Sequence, residues 1–114
     1  MQSPEALIEA QLAAYNRQDM SAFLAIFHPE VEFIRWPSTV FLRGHDAFKH
    51  AYGALWARSP GLNARILNRI VMGRFVLDVE EMLNHADGPK APVLVIYETE
   101  GGLIRRFWLL DEDT

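Results

Sequence analysis

AAYNRQDMSAFLAIFHPEVEF, residues 13–33, holds the end of one helix, the whole of a second and the start of a strand. Asn16 closes the first helix, and Asp19 is placed to cap the next, because a short acidic side chain accepts the unpaired N–H groups of a helix's first turn. Met20, Phe23, Leu24 and Phe27 then recur at i, i+3, i+4 and i+7, one apolar stripe over two turns. His28-Pro29 stops it, since proline cannot continue a helix and biases its predecessor toward extended geometry. Two helices folding onto a strand in this order, ahead of a run of long strands, predict a cone-shaped α+β pocket.

The flanks extend the pattern. Ser3-Pro4-Glu5 is a helix start: a capping hydroxyl, a proline at the first helical position and an acid beside the positive helix end. Ile8, Leu12 and Tyr15 share one face of that helix, with Gln11 alongside. Val31–Trp36 reads as a strand broken by Pro37-Ser38-Thr39, Val40–Arg43 as a short extended piece, and Asp46–Arg58 as a third helix ended by Ser59-Pro60-Gly61. His45 is placed to cap it. From Leu62 the period becomes two, giving strands at about Leu62–Met72, Phe75–Asn84, Val93–Glu100 and Leu103–Leu110. Gly73-Arg74 and Gly101-Gly102 suit two-residue hairpin turns.

With Gly73-Arg74 as the turn, one face carries Met72/Phe75, Ile70/Leu77, Asn68/Val79 and Ile66/Glu81. The other carries Val71/Val76, Arg69/Asp78, Leu67/Glu80 and Arg65/Met82. In the last hairpin Ile96/Phe107 and Leu94/Leu109 share one side, Tyr97/Arg106 and Val95/Trp108 the other. The more apolar face is expected to take the helices. The other, with Val76, Tyr97, Arg106, Trp108 and Leu110, is too aromatic for a simply solvated surface and is expected to form a homodimer interface; a wet face with cross-strand salt bridges is the rival reading.

Composition bounds the rest. The 114 residues suffice for one domain with its own core, half of them are hydrophobic, and there is no cysteine, hence no disulfide, thiol nucleophile or thiolate metal site. A formal charge of −4 with scattered basic residues argues against a nucleic-acid partner. No apolar run approaches membrane-spanning length and no secretory signal is visible, so a cytoplasmic location is expected. The histidines at 28, 45, 50 and 85 lack ligand spacing, and no metal or cofactor is expected.

Taken jointly, YNRQD with FLAIFHPEVEF, LRGHDAF, NRIVMGRFVLDVE and IYETEGGLIRRFWLL resemble the nuclear transport factor 2-like superfamily, in its SnoaL-like and ketosteroid-isomerase-like branch. The resemblance spans nearly the whole chain, residues 1–114, as a single domain. It implies a cystatin-like α+β barrel in which a curved antiparallel sheet wraps three helices, with an interior ligand cavity and commonly a dimer. Its members include isomerases, cyclases, dehydratases, hydrolases and proteins without known catalysis, so the fold does not fix the activity. Steroid isomerisation needs an Asp base with a Tyr and a protonated Asp as oxyanion donors. By position those roles fall on Arg35 or Trp36, on Gln11 with Tyr15 a turn later, and on Leu94, and only the supporting Tyr52 matches. The histidine that many relatives carry before the glutamate of the second long strand is Val79 here.

Candidate chemistry therefore rests on other groups. Arg35, at the end of the first strand, could hold a carboxylate, phosphate or enolate, or could stack on Trp36 or pair with Glu32 or Asp46. Glu81, on the expected apolar face, would gain a raised pKa and suit general acid–base work, unless it reaches solvent at the strand end. Tyr15 is the alternative proton carrier. Gln11, Trp36, Tyr52, Trp56, Asn68 and Phe107 are the candidate ligand-binding residues, each also readable as core or surface packing. Asp78 and Glu80 read as structural ion pairs with Arg69 and Arg65. Two functions follow: a cofactor-free isomerase, cyclase or lyase moving a proton on a small hydrophobic or carbonyl compound, or a non-catalytic dimeric ligand-binding or accessory protein.

Overall fold

The computed structural model describes residues 2–114. Helices α1 (Pro4–Arg17), α2 (Met20–Leu24) and α3 (Gly44–Arg58) pack on six strands: β1 (Phe27–Arg35), β2 (Thr39–Arg43), β3 (Asn63–Met72), β4 (Phe75–Leu83), β5 (Val93–Glu100) and β6 (Leu103–Leu110). The caps act as the sequence implies. The Ser3 hydroxyl accepts from the Ala6 N–H at 3.1 Å, and the Asp19 carboxylate accepts from the Ala22 N–H at 3.1 Å. The second helix is shorter than its apolar stripe: it ends at Leu24, and Phe27, His28 and Pro29 already belong to β1. His45 does not cap α3; its Nε2 lies 2.9 Å from the Phe27 carbonyl oxygen and ties α3 to β1.

The strands form one curved sheet in the order β2-β1-β6-β5-β4-β3. The expected α+β fold, a curved sheet around three helices, is present; the sheet is mixed because β1 runs parallel to β6, and unclosed because β2 and β3 are its two edges. Aromatic side chains fill the space under the helices: Phe23 packs on Phe27 at 4.8 Å and on Tyr52 at 4.9 Å, and Phe107 packs on Phe33 at 4.5 Å. Asn16 pins α1 to the sheet, donating to the Ala64 carbonyl at 3.0 Å and accepting its N–H at 2.7 Å.

The facing of the sheet reverses the expectation. Val76, Asp78, Glu80, Val95 and Tyr97 are buried on the helix side. Ile70 and Met72 are exposed, and Leu77 and Ile96, on the opposite side, are only partly covered. Val76 and Tyr97 therefore belong to the core and not to the outer face, where Arg106, Trp108 and Leu110 of the expected set lie. Register beside the first turn is as read, with Met72 opposite Phe75 and Arg69 opposite Asp78. Two one-residue bulges then change it. Leu67 is the extra residue between the Ile66/Glu80 and Asn68/Val79 pairs, and Arg105 is the extra residue between Thr99/Ile104 and Glu98/Arg106. A bulge shifts the period-two alternation by one. It replaces Arg65 and Leu67 by Ala64 and Ile66 on the helix side of β3, and brings Phe107 and Leu109 inward on β6, opposite Tyr97 and Val95.

The charged pair is tolerated inside because it is saturated. Arg69 grips both Asp78 oxygens, Nε to Oδ1 at 2.6 Å and Nη2 to Oδ2 at 2.8 Å, and also bonds Glu9 of α1, with Glu5 at 3.8 Å. Asp78 has 0 % of its surface exposed. A buried carboxylate whose two oxygens are both gripped by one guanidinium recovers part of the cost of burial.

Candidate active site

Under the helices lies a cavity of about 390 Å³. Gln11 and Tyr15, one turn apart on α1, close one side; Tyr52 and Leu55 of α3 close another; the sheet supplies Phe33, Ala64, Glu80, Met82, Val95, Tyr97 and Phe107. Aromatic packing fixes the rings. Tyr15 meets Tyr52 edge-on at 6.0 Å and Trp56 edge-on at 5.7 Å.

Glu80 is the chemical centre of this space. It is 5 % exposed, and its Oε2 accepts the Tyr97 hydroxyl at 2.8 Å. Its Oε1 has no hydrogen-bond partner among the described residues and is not sealed from the cavity. Burial pushes the carboxyl up to about 7; the nearby Asp78 charge acts the same way, while the Tyr97 hydrogen bond and Arg69 pull it down. Among the described residues no cation pairs with it directly, because Arg69 is committed to Asp78 and Glu9. Tyr15, Tyr52 and Tyr97 are all held above the ordinary phenol range, first by burial, and Tyr15 and Tyr97 then chiefly by the negative Glu80. They serve as hydroxyl donors and not as acids. Among the described residues the Tyr15 hydroxyl makes only a long contact to the Met82 sulfur, at 4.0 Å, and the Tyr52 hydroxyl and Gln11 amide have no hydrogen-bond partner. These polar tips, on a mostly apolar wall, are free for a ligand.

Beyond the ends of β4, β5 and β6 the cavity is rimmed by His85, Lys90 and Asp111. They follow β4, precede β5 and follow β6, and antiparallel pairing sets these three strand ends side by side.

Of the residues singled out from sequence, Gln11, Tyr15, Tyr52 and Phe107 line the cavity. Trp56 is buried behind it, against Tyr15 and Phe23, with its indole N–H unpartnered. Arg35 stands at the rim with its charge engaged: it donates to both Asp111 oxygens, at 2.9 and 2.8 Å. That pairing holds Asp111 well below the usual carboxylate range and raises the guanidinium further. Its two expected partners are not used; Glu32 binds Arg43 instead, at 2.6 Å. Trp36 is 44 % exposed and outside the lining. Glu81 faces away from the helices and pairs with Arg65 at 2.5 Å, so the desolvation argument made for it belongs to its neighbour Glu80. Asn68 is exposed and accepts the Arg69 N–H at 2.9 Å.

Glu80, read from sequence as an ion pair of Arg65, instead accepts from Tyr97 while Arg65 pairs with Glu81, and its place in the cavity, like the rim, was missed. The available signal was that Val76, Asp78, Glu80 and Met82 alternate on one face, where a tyrosine hydroxyl from the neighbouring strand needs an acceptor. Among the described residues no three His, Asp or Glu side chains are grouped to hold a metal ion, and no helix is long and apolar enough to cross a membrane.

The structure is similar to a cystatin-fold protein from Novosphingobium aromaticivorans, with 24 % identity and a TM-score of 0.87 over 97 % of this chain and 100 % of that one. A candidate polyketide cyclase from Sinorhizobium meliloti matches at 17 % identity and a TM-score of 0.79, covering 96 % and 100 % of the two chains. IdmH of Streptomyces antibioticus, also described as a candidate polyketide cyclase, matches at 14 % and 0.78, covering 98 % and 94 %. At these identities the likeness establishes the fold alone. No curated protein matches the sequence. The SnoaL-like domain model matches residues 8–107, and the chain belongs to that family, within the nuclear transport factor 2-like superfamily.

Proposed function

We propose that this SnoaL-like domain binds a small hydrophobic, carbonyl-bearing compound and moves a proton on it without a cofactor, as an isomerase, cyclase or lyase would. The observation that carries this reading is Glu80: a cavity-lining carboxyl with one free oxygen and a pKa of about 7, matched to proton transfer near neutrality. Glu80 takes the proton from the carbon beside the carbonyl. Tyr15 and Tyr52 hydroxyls hold the carbonyl oxygen as it gains charge, Gln11 adds an amide contact, and Phe107 supplies an apolar wall. The two structural relatives described as candidate cyclases are compatible with it. Exchange of the α-hydrogens of 2-tetralone in D₂O, followed by proton NMR, tests the proposal. Acceleration by the wild type that is lost in Glu80→Gln supports it; equal rates with both proteins would refute it.

A second reading, a non-catalytic ligand-binding domain, is favoured by one observation. Arg35 is consumed by Asp111, which leaves no strong electrophile deep in the lining. In that case Glu80→Gln alters affinity with no turnover to lose. In either reading the outer sheet face pairs two copies, through Leu77, Ile96, Arg106, Trp108 and Leu110.

A further inference from the structure

The cavity rim carries two donors, Lys90 and His85, beside the acids Asp111, Asp113 and Asp87. Asp111 brings a carboxylate to the rim, but both its oxygens already accept from Arg35. The nearby Asp113 also acts on Arg35. Asp87, in the same loop as His85 and Lys90, is bound by Arg58 at 3.0 Å. Lys90 lines the cavity with no ion-pair or hydrogen-bond partner among the described residues. His85 accepts the Asp87 N–H on Nδ1 at 3.0 Å, with the Asp87 carboxylate 3.8 Å from the same nitrogen, so in the neutral ring the proton sits on Nε2, which has no hydrogen-bond partner among the described residues. One unpaired ammonium and one ring N–H thus stand at the opening of a mostly apolar cavity, donors suited to a carboxylate. Deep inside, Tyr15, Tyr52 and Glu80 offer hydroxyl and carboxyl contacts to a neutral oxygen.

We propose that the rim is a carboxylate subsite and that the ligand is an amphipathic oxo acid. Its carboxylate rests on Lys90 and His85, its apolar body fills the cavity, and its carbonyl meets the tyrosine hydroxyls beside Glu80. This rests on the cavity being the ligand site, as proposed above, and adds the charge and polarity of the ligand.

Calorimetric titration at pH 6 with 4-oxo-4-phenylbutanoate and its methyl ester tests it, since the two differ only in the rim group. The acid is expected to bind about tenfold tighter than the ester, the worth of one charge-assisted contact. Rising salt weakens the acid and not the ester. In the double variant Lys90→Gln/His85→Asn the acid falls to the level of the ester; both positions lie in the loop between β4 and β5, outside the helices and strands. Equal binding of acid and ester, a preference that survives the double variant, or no binding of either probe overturns the proposal. Its failure is separable from that of the proton-transfer reading. An acid preference without Glu80-dependent exchange leaves the subsite standing, and Glu80-dependent exchange without an acid preference removes the subsite alone.

Discussion

Tyr97 donates its hydroxyl to Glu80 across 2.8 Å, from the neighbouring strand and on the helix side of the sheet. That hydrogen bond favours the ionised carboxylate and opposes the effect of burial. Tyr97→Phe is therefore expected to raise the Glu80 pKa above about 7. The carboxyl carbon shift of Glu80, followed by NMR against pH, reads this directly. A midpoint unchanged or lowered in the variant would show that the hydroxyl does not stabilise the charge.

The same carboxyl sets a pH dependence of stability. Glu80 titrates near 4.5 when unfolded and near 7 when folded, so between these values the native state holds the extra proton. Its contribution is complete below about pH 4.5 and is lost as pH rises through about 7. The slope from this one group reaches at most about 1.4 kcal/mol per pH unit. Glu80→Gln removes the titration, and should be more stable than the wild type at pH 8 with a flatter profile between pH 5 and 7. Urea unfolding across that range decides it.

Arg69 and Asp78 form a buried pair in which the cation also holds α1 through Glu9. Removing only the cation strands Asp78 without solvent, so Arg69→Met should cost roughly 3–5 kcal/mol. Arg69→Met/Asp78→Leu should recover most of that loss, because the orphaned charge goes too. A double variant no more stable than the single would show that the loss comes from α1 rather than from the buried carboxylate.

Glu81 and Glu80 are neighbours with opposite fates. Glu81 pairs with Arg65 on the outer side, a half-exposed ion pair worth about 0–1 kcal/mol. Glu81→Gln is expected to keep wild-type deuterium exchange on 2-tetralone and nearly wild-type stability. Loss of exchange in this variant would move the proton-transfer role to the outer face.

Trp108 and Leu110 are partly exposed on the outer face, beside Arg106, whose Nε lies 2.8 Å from Glu98. That contact is poorly aligned, since the same N–H is buried without a hydrogen bond in the isolated chain. If two copies cover this face, Trp108→Glu should turn a dimer into a monomer by light scattering after gel filtration. A wild type that runs as a monomer at micromolar concentration refutes the pairing.

Much of this molecule is legible in particular residues. Ser3, Asp19 and the two glycine turns sit where their conformations require them, and the last two strands span Val93–Glu100 and Leu103–Leu110 as their alternation implies. Gln11, Tyr15 and Tyr52 were readable as a cavity wall because helical spacing alone places them on inward faces. Glu80 was not, since its role depends on the parity of β4 relative to the helices. Arg35 looked available because its partner, Asp111, lies far along the chain and meets it only through the parallel pairing of β1 with β6.

Local chemistry in the chain set the kind, order and approximate limits of the helices and strands, and the register beside each hairpin turn. Which side of the sheet went under the helices was settled by tertiary packing. Both sides carry enough Val, Leu, Ile and aromatic surface to be buried, so hydrophobicity does not choose between them. The single extra residues at Leu67 and Arg105 reset the alternation without any glycine or proline to announce them, and the engagement of Asp78 by Arg69 made the charged side the one that could be enclosed.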